Sequence, residues 1–471
     1  MKRIISFVIA ILILLPLNTV FASAAPVSDG EPEKTAYQTL LEGMLDEQEY
    51  IYISEYMLSK DELRALVEVL LKNEPMLFYC ASRYSYSYNG ETVISVLPQY
   101  DISGEDLVTA REFVETEINY ILSTIPDGLD DCEKILYLHD YICLNYEYDR
   151  DDTDGMSYTM YDMLSQDEGV CMAFSLLFDE LLTRLGIETR AIICDEIDHM
   201  WNEVFIDGHW YEADVTWDDP VPDAFGRATH ANFLKSHESM SNSHNAIYDV
   251  EYPCDDKSFD EVFWHDSDKP FGFAYGEMYM IKDNLVYKVD AHNGSAVEVF
   301  EAGEKWWPIS QNSYVNCRIG FGSYHDWLYY NNEHSIMRYN PLTNVEETFY
   351  TPEVNDGERV IGLYTKDNEV HYLVSPTLYA ADATEYVYLI EDGDIDTPTP
   401  EDPQPEIIYG DVNGDELIDS VDYLLVKRAC FGTYLLSNEE KVFANVNNDE
   451  KIDSVDYLLI KRIAFGTYSV A

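Results

Sequence analysis

The sequence predicts a multidomain α+β chain: a helix-rich start, a core of helices plus antiparallel sheet, a small all-β region and a small all-α module that binds calcium. Three observations carry that expectation. Apolar residues at helical spacing dominate up to about residue 150, short β-prone runs divided by turn residues fill Phe271 to Leu389, and an Asp/Asn-rich loop running into a helix occurs twice near the C-terminus. At 471 residues the chain exceeds what one hydrophobic core usually serves.

The first segment has Lys2 and Arg3, an unbroken apolar run from Ile4 to Leu15, and small residues at Ala22-Ser23-Ala24. This reads as a secretory signal over residues 1–24 and predicts export. Its apolar core falls short of the ~20 residues a spanning helix needs, and no other segment is longer, so no membrane span is expected. With 29 basic and 89 acidic side chains, the formal charge of −60 excludes a nucleic-acid or anionic-membrane binder. Calcium is the natural counterion. Eight cysteines are scattered without a framework spacing or a CxxC pair, so neither disulfides nor a structural zinc site is assigned.

Residues 25–128 read as a helical region. Ser59-Lys60-Asp61-Glu62 is a capping box opening DELRALVEVLLKN, which Pro75 closes, and Ser103 with Asp106 opens a long amphipathic run. After the Pro126-Asp127-Gly128 turn a third helix, DDCEKILYLHDYICLNY, begins a region spanning 129–255. In residues 268–392, NLVYKVDAHNGSAVEVF and SIMRYNPLTNVEETFY align fifty residues apart. Repeated hairpins of this kind build propeller blades, but the stretch is too short for four blades of ~40 residues, and a small all-β accessory domain is expected. Residues 393–407 are a Pro-rich, charged spacer.

Residues 408–471 hold the repeat: DVNGDELIDSVD at 411–422 and NVNNDEKIDSVD at 445–456. Oxygen ligands recur at loop positions 1, 3, 5, 9 and 12, namely Asp411, Asn413, Asp415, Asp419 and Asp422, then Asn445, Asn447, Asp449, Asp453 and Asp456. The backbone carbonyls of Leu417 and Lys451 stand at position 7. Only a tightly curled loop brings so many oxygens around one hard cation, so two Ca2+ sites are expected. This segment resembles the type I dockerin family, with Asp at position 12 and an exiting helix after each loop. It departs from the usual loop at position 6, where Glu416 and Glu450 replace glycine. The resemblance implies a cohesin domain on a scaffold protein as partner, read by Ser420, Val421, Lys427 and Arg428 and equally by Ser454, Val455, Lys461 and Arg462.

Between the helical and β-rich regions, Gly169 and Val170 lead into Cys171, from which apolar residues recur at helical spacing until Gly186. Cys171 therefore starts a helix, where unpaired N–H groups favour a thiolate nucleophile. Downstream, HMWNEVFI and HWYEADVT flank Asp207-Gly208, a two-residue hairpin turn. That turn pairs residues whose numbers add to 415, setting Trp201 opposite Asp214 and His199 opposite Thr216, so that His199 and Asp214 share one face on a diagonal. An imidazole beside a thiol, fixed by a carboxylate, is what covalent acyl transfer requires. The pattern Gly169/Cys171, His199/Trp201/Asn202 and Trp210/Tyr211/Asp214/Thr216/Trp217 resembles the transglutaminase-like superfamily of papain-related cysteine enzymes. The resemblance implies a papain-like catalytic core with Cys171 as nucleophile, His199 as general base and acid, and Asp214 as orienting carboxylate.

The Cys171 backbone N–H is one oxyanion donor by position, with Gln166 and Tyr161 as candidates for the second. The expected function is an exported, scaffold-associated enzyme that opens peptide or amide bonds through a thioester, with no cofactor for catalysis and a protein or peptide as substrate. The rival expectations are an amine-incorporating transglutaminase and a non-catalytic member of the fold that binds protein or glycan.

Overall fold

The computed structural model describes residues 34–150, 157–302, 319–377 and 382–391, and, nearer the C-terminus, 410–413, 417–418, 420–430, 436–437, 441, 443–446 and 451–464. The expected signal, the spacer 393–407, and Asp415, Glu416, Asp419, Asn447, Asp449 and Glu450 lie outside the described residues. The chain divides into two compact units, Met1–Glu391 and Asp392–Ala471.

The first unit opens with helix α1 (Ala36–Leu45), strand β1 (Ile51–Tyr52) and helix α2 (Lys60–Asn73). The expected capping box starts α2: Glu62 N–H donates to Ser59 Oγ at 3.3 Å and Ser59 N–H donates to Glu62 Oε2 at 2.8 Å. The region is not wholly helical, however. Strands β2 (Cys80–Asn89) and β3 (Thr92–Tyr100) form an antiparallel hairpin joined by β1 in the order β1-β3-β2. The cause is local: tyrosine and serine alternate along β2, and Asn89-Gly90, with Gly90 at φ 63°, is a hairpin turn.

Helix α3 (Glu105–Ser123) is capped by Gly104 at φ 62° rather than by Ser103, so no side chain caps it. Helix α4 (Asp131–Asn145) starts on its own capping box, Asp130 with Glu133.

Strand β4 (Glu147–Tyr148) pairs in parallel with β5 (Glu168–Gly169), which follows helix α5 (Met160–Gln166) and leads directly into α6 (Cys171–Arg184). Phe174, Leu177, Phe178, Leu181 and Leu182 of α6 are buried in the largest hydrophobic cluster. Each such side chain contributes roughly 1.5–3 kcal/mol on burial, which fixes α6 as a frame for its first residue. Strands β6 (Thr189–Cys194), β7 (His199–Ile206) and β8 (His209–Ala213) form an antiparallel sheet in chain order. Their hairpin register runs from Asn202↔Ala213 to Ile206↔His209, as the turn at Asp207 (φ 52°) and Gly208 (φ 86°) dictates. Strand β8 stops at Ala213, because Asp214 caps a short helix α7 (Val215–Asp218). Thr216 therefore lies in that helix and not in a strand opposite His199.

Helix α8 (His237–His244) follows, and then three antiparallel sheets. The first has strands β9 (Gly272–Ala274), β10 (Glu277–Lys282), β11 (Leu285–Val289) and β12 (Ala296–Glu301). The second has β13 (Phe321–Tyr324), β14 (Trp327–Asn331), β15 (Ile336–Asn340) and β16 (Val345–Tyr350). The third has β17 (Arg359–Lys366), β18 (Glu369–Ser375) and β19 (Thr384–Leu389). The fifty-residue spacing is structural: register shifts fall at Val286/Tyr287 and at Ile336/Met337, and Gly294 (φ 65°) and Asn344 (φ 56°) occupy matching turns.

This region does not stand apart from the helices. Phe271, Phe273, Met278, Met280, Val289 and Ala291 belong to the same hydrophobic cluster as α3, α4 and α6. The amide N–H of Phe271 also donates to Asp140 Oδ2 on α4 at 2.6 Å.

In the second unit, helices α9 (Ser420–Cys430) and α10 (Ser454–Ala464) bury Val426 and Ile460 in one cluster with Val412 and Val446. Their contacts are reciprocal. Tyr423 and Tyr457 meet edge-on at 6.1 Å, Lys427 Nζ lies 6.0 Å from the Tyr457 ring, and Lys461 Nζ lies 5.8 Å from the Tyr423 ring.

Candidate active site

Cys171 is held by its neighbours on both sides. Gly169 has no room for a side chain, since a Cβ there would lie 2.9 Å from Ala173 Cβ. Asp149 N–H donates to the Gly169 carbonyl at 2.9 Å, and Val170 N–H donates to the Ser157 carbonyl at 3.0 Å. Cys171 is half-buried as the first residue of α6. Two bonds tie that helix to the strand carrying His199: Asn202 Nδ2–H donates to the Ser175 carbonyl at 3.1 Å, and Ser175 Oγ–H donates to the Met200 carbonyl at 2.9 Å.

His199 begins β7, buried, with Nε2 2.7 Å from Asp214 Oδ2. Its ring stacks at 5.4 Å on Trp201 and at 5.4 Å on Trp217. Asp214 is fully buried, and its Oδ1 accepts from Trp217 N–H at 3.0 Å. Thus one oxygen caps α7 while the other takes the imidazole. His244 is the residue that sequence reasoning missed: its Nε2 also lies 2.7 Å from Asp214 Oδ2. These N···O separations are those of hydrogen bonds. An ionised carboxylate only accepts, so each ring presents Nε2–H to it, which leaves Nδ1 of His199 clear of Asp214.

Trp201 is fixed from behind by Glu212, whose Oε2 accepts from Trp201 Nε1–H at 2.8 Å and from the Tyr248 hydroxyl at 2.7 Å, while His237 Nδ1 lies 2.7 Å from Oε1. The two suggested oxyanion donors fare differently. Tyr161 stacks on Phe78 at 5.1 Å and meets Phe113 edge-on at 5.9 Å, so its ring packs the helices, whereas Gln166 is exposed at the end of α5.

Burial alone disfavours a charged His199 ring, but the Asp214 carboxylate, with a smaller contribution from Cys171, outweighs it, and the ring is raised to about 10. Asp214 is likewise buried against its charge, yet His199 and His244 hold it below the usual carboxylate range. An unfolded imidazole titrates near ~6.5, so the stabilisation from His199 is complete below ~6.5 and lost as pH rises through about 10. Thermal midpoints should therefore fall between pH 8 and 10.5 in the wild type, and that slope should flatten in His199→Gln.

A second His/Asp cluster is built on α4 and α7. Asp140 Oδ1 is 3.0 Å from His139 Nδ1 and 2.7 Å from His230 Nε2, all buried, with Asp218 Oδ2 3.4 Å from His139 Nε2. Its groups bind one another, as buried polar residues must.

Residues 121–215 match the family model of the transglutaminase-like superfamily, and residues 409–463 match that of the dockerin type I domain. The chain carries a transglutaminase-like domain and a C-terminal dockerin module. It is similar to kyphoscoliosis peptidase of Mus musculus, 23% identical over 172 residues that make up 33% of this chain and 26% of the relative. The Homo sapiens protein of that name is 22% identical over 169 residues, 32% of this chain and 25% of the relative. The chain thus spans about a quarter of the length of these curated relatives. Among solved structures, one titled as a TGase is 13% identical with a TM-score of 0.20, covering 34% of this chain and 48% of that one. Among the described residues no helix is long and apolar enough to cross a membrane.

In the dockerin module the two position-12 carboxylates behave alike. Asp422 Oδ1 accepts from Val412 N–H at 2.8 Å and Asn413 N–H at 3.2 Å, while Asp456 Oδ1 accepts from Val446 N–H at 3.0 Å and its Oδ2 from Asp453 N–H at 3.0 Å. Both are fully buried. The described candidates Asp411, Asn413, Leu417, Asp422, Asn445, Lys451, Asp453 and Asp456 offer only oxygen donors through side chains or carbonyls, which fits a calcium ion. Of the expected partner-reading residues, Lys427, Arg428, Val455 and Arg462 are exposed and Lys461 is half-buried; Ser420, Val421 and Ser454 open the helices.

Proposed function

We propose that the chain is an exported cysteine enzyme that opens peptide or amide bonds and is carried to a scaffold by its dockerin. Cys171 is the nucleophile, His199 the general base and acid, and Asp214 the orienting carboxylate. The observation that supports this reading is the 2.7 Å bond from His199 Nε2 to buried Asp214, on an imidazole whose proton affinity Cys171 also raises.

The Cys171 thiolate attacks the substrate carbonyl, and the leaving amine takes its proton from His199 as the thioester forms. His199 then removes a proton from water, whose oxygen attacks the thioester and releases a carboxylic acid and the thiol. An amine arriving in place of water would give a new amide. In the dockerin, two calcium ions would be held by loops 411–422 and 445–456, and a cohesin would be read by one or other of α9 and α10.

The experiment incubates the full chain with casein and a fluorescent amine, reading peptide release and amine incorporation together. Peptide release is expected from the wild type and none from Cys171→Ala. Amine incorporation without peptide release would favour acyl transfer to amines, and the absence of both products would favour a non-catalytic binding protein. Either product surviving in Cys171→Ala would remove Cys171 from the chemistry.

A further inference from the structure

His244 lies thirty residues beyond Asp214, closing α8, and is 4% exposed. Its ring lies flat on Trp217, with centroids 3.9 Å apart and planes at 4°, and it stands 4.9 Å from Trp201. Its Nδ1 is held within its own helix, 3.2 Å from the Met240 carbonyl and 2.9 Å from Ser243 Oγ. Packing on Trp217 explains an aromatic ring here. It does not explain why Nε2 is aimed at the one carboxylate oxygen that already receives His199.

We propose that His244 is a positioning residue of this site, whose Nε2–H shares Asp214 Oδ2 with His199 and so limits how strongly the carboxylate holds the His199 ring. The inference rests on the Cys171–His199 reading above. A carboxylate oxygen that accepts two N–H donors has less charge to give to either. With Trp217 N–H on Oδ1 and two rings on Oδ2, Asp214 is held against rotation, and the orientation of the His199 ring is fixed with it. A base is most useful when its proton can leave again near the working pH, so weakening the carboxylate's hold favours turnover. The ionisable groups facing this set are Cys171 on α6, Tyr148 on β4 with Asp149 and Asp198 near it, and Glu212 with His237 and Tyr248 behind Trp201. None of these bonds Asp214.

The test follows the alkylation of Cys171 by iodoacetamide as a function of pH, resolved by peptide mass so that the other thiols do not interfere. It needs no knowledge of the substrate. His244→Phe keeps a ring for the Trp217 stack and removes the donor. The upper limb of its profile, where the His199 imidazolium loses its proton, is expected to move up by about one pH unit. His244→Gln, which restores an N–H donor, should return that limb toward the wild type. A His244→Phe profile superimposed on a wild-type profile that does show an activated plateau overturns the proposal. A wild type with no plateau instead overturns the Cys171–His199 reading.

Should His244→Phe fail to fold, the wild type labelled with 15N-histidine still decides. Nε2-bound protons on both His199 and His244 are expected, and an unprotonated Nε2 on His244 overturns the proposal.

Discussion

Asp214→Asn should leave the chain folded while kcat for peptide release falls by about 10³–10⁴-fold. The carboxylate accepts three N–H donors, from His199, His244 and Trp217. An amide has one oxygen, so its NH2 must face either the Trp217 N–H or the two imidazoles: in the second arrangement His199 loses the acceptor that sets its tautomer, and in either it loses the negative charge. Asp214→Ala removes all three acceptances at a fully buried position and should in addition destabilise the fold by roughly 3–5 kcal/mol, as breaking a buried charge pair does. Steady-state kinetics and chemical denaturation separate the two effects. A kcat for Asp214→Asn within tenfold of the wild type would remove the carboxylate from the chemistry.

Calcium removal is expected to have the second largest effect, and only on the C-terminal unit. Asp422 and Asp456 are buried carboxylates placed where a cation would neutralise them. Without calcium each buried charge loses the cation that would offset its desolvation. Replacing both with Ala should weaken calcium binding by at least about 100-fold. Helical circular dichroism should drop by the contribution of α9 and α10, cohesin capture on a sensor surface should vanish, and alkylation of Cys171 should be unchanged. Retained cohesin binding by the double variant in a chelator would contradict the calcium assignment.

Much of the site could be read from sequence because it rests on short-range rules. A two-residue turn at Asp207-Gly208 fixes the register of β7 against β8, and the apolar spacing after Cys171 fixes where α6 begins. His244 escaped because it belongs to HESMSNSH, a polar segment without apolar periodicity, and only the tertiary fold brings it to Asp214. The β2–β3 hairpin was legible in Asn89-Gly90 and in the Tyr/Ser alternation, but flanking helix signals outweighed it. What no local pattern carries is which apolar residues share a core. The strands after residue 270 read as a β-rich region of their own, and side chains of theirs nevertheless meet those of α4 and α6.

That shared interior governs how the molecule can be cut. A shortened protein ending near residue 255, the expected bound of the transglutaminase-like region, would strip Phe259, Trp264, Phe271, Phe273 and Met278 from the helices they cover, and would orphan Asp140 Oδ2. Such a fragment should aggregate or stay molten even though every residue of the Cys171 site remains in it. The smallest piece fit for crystallisation or assay therefore runs to about residue 391.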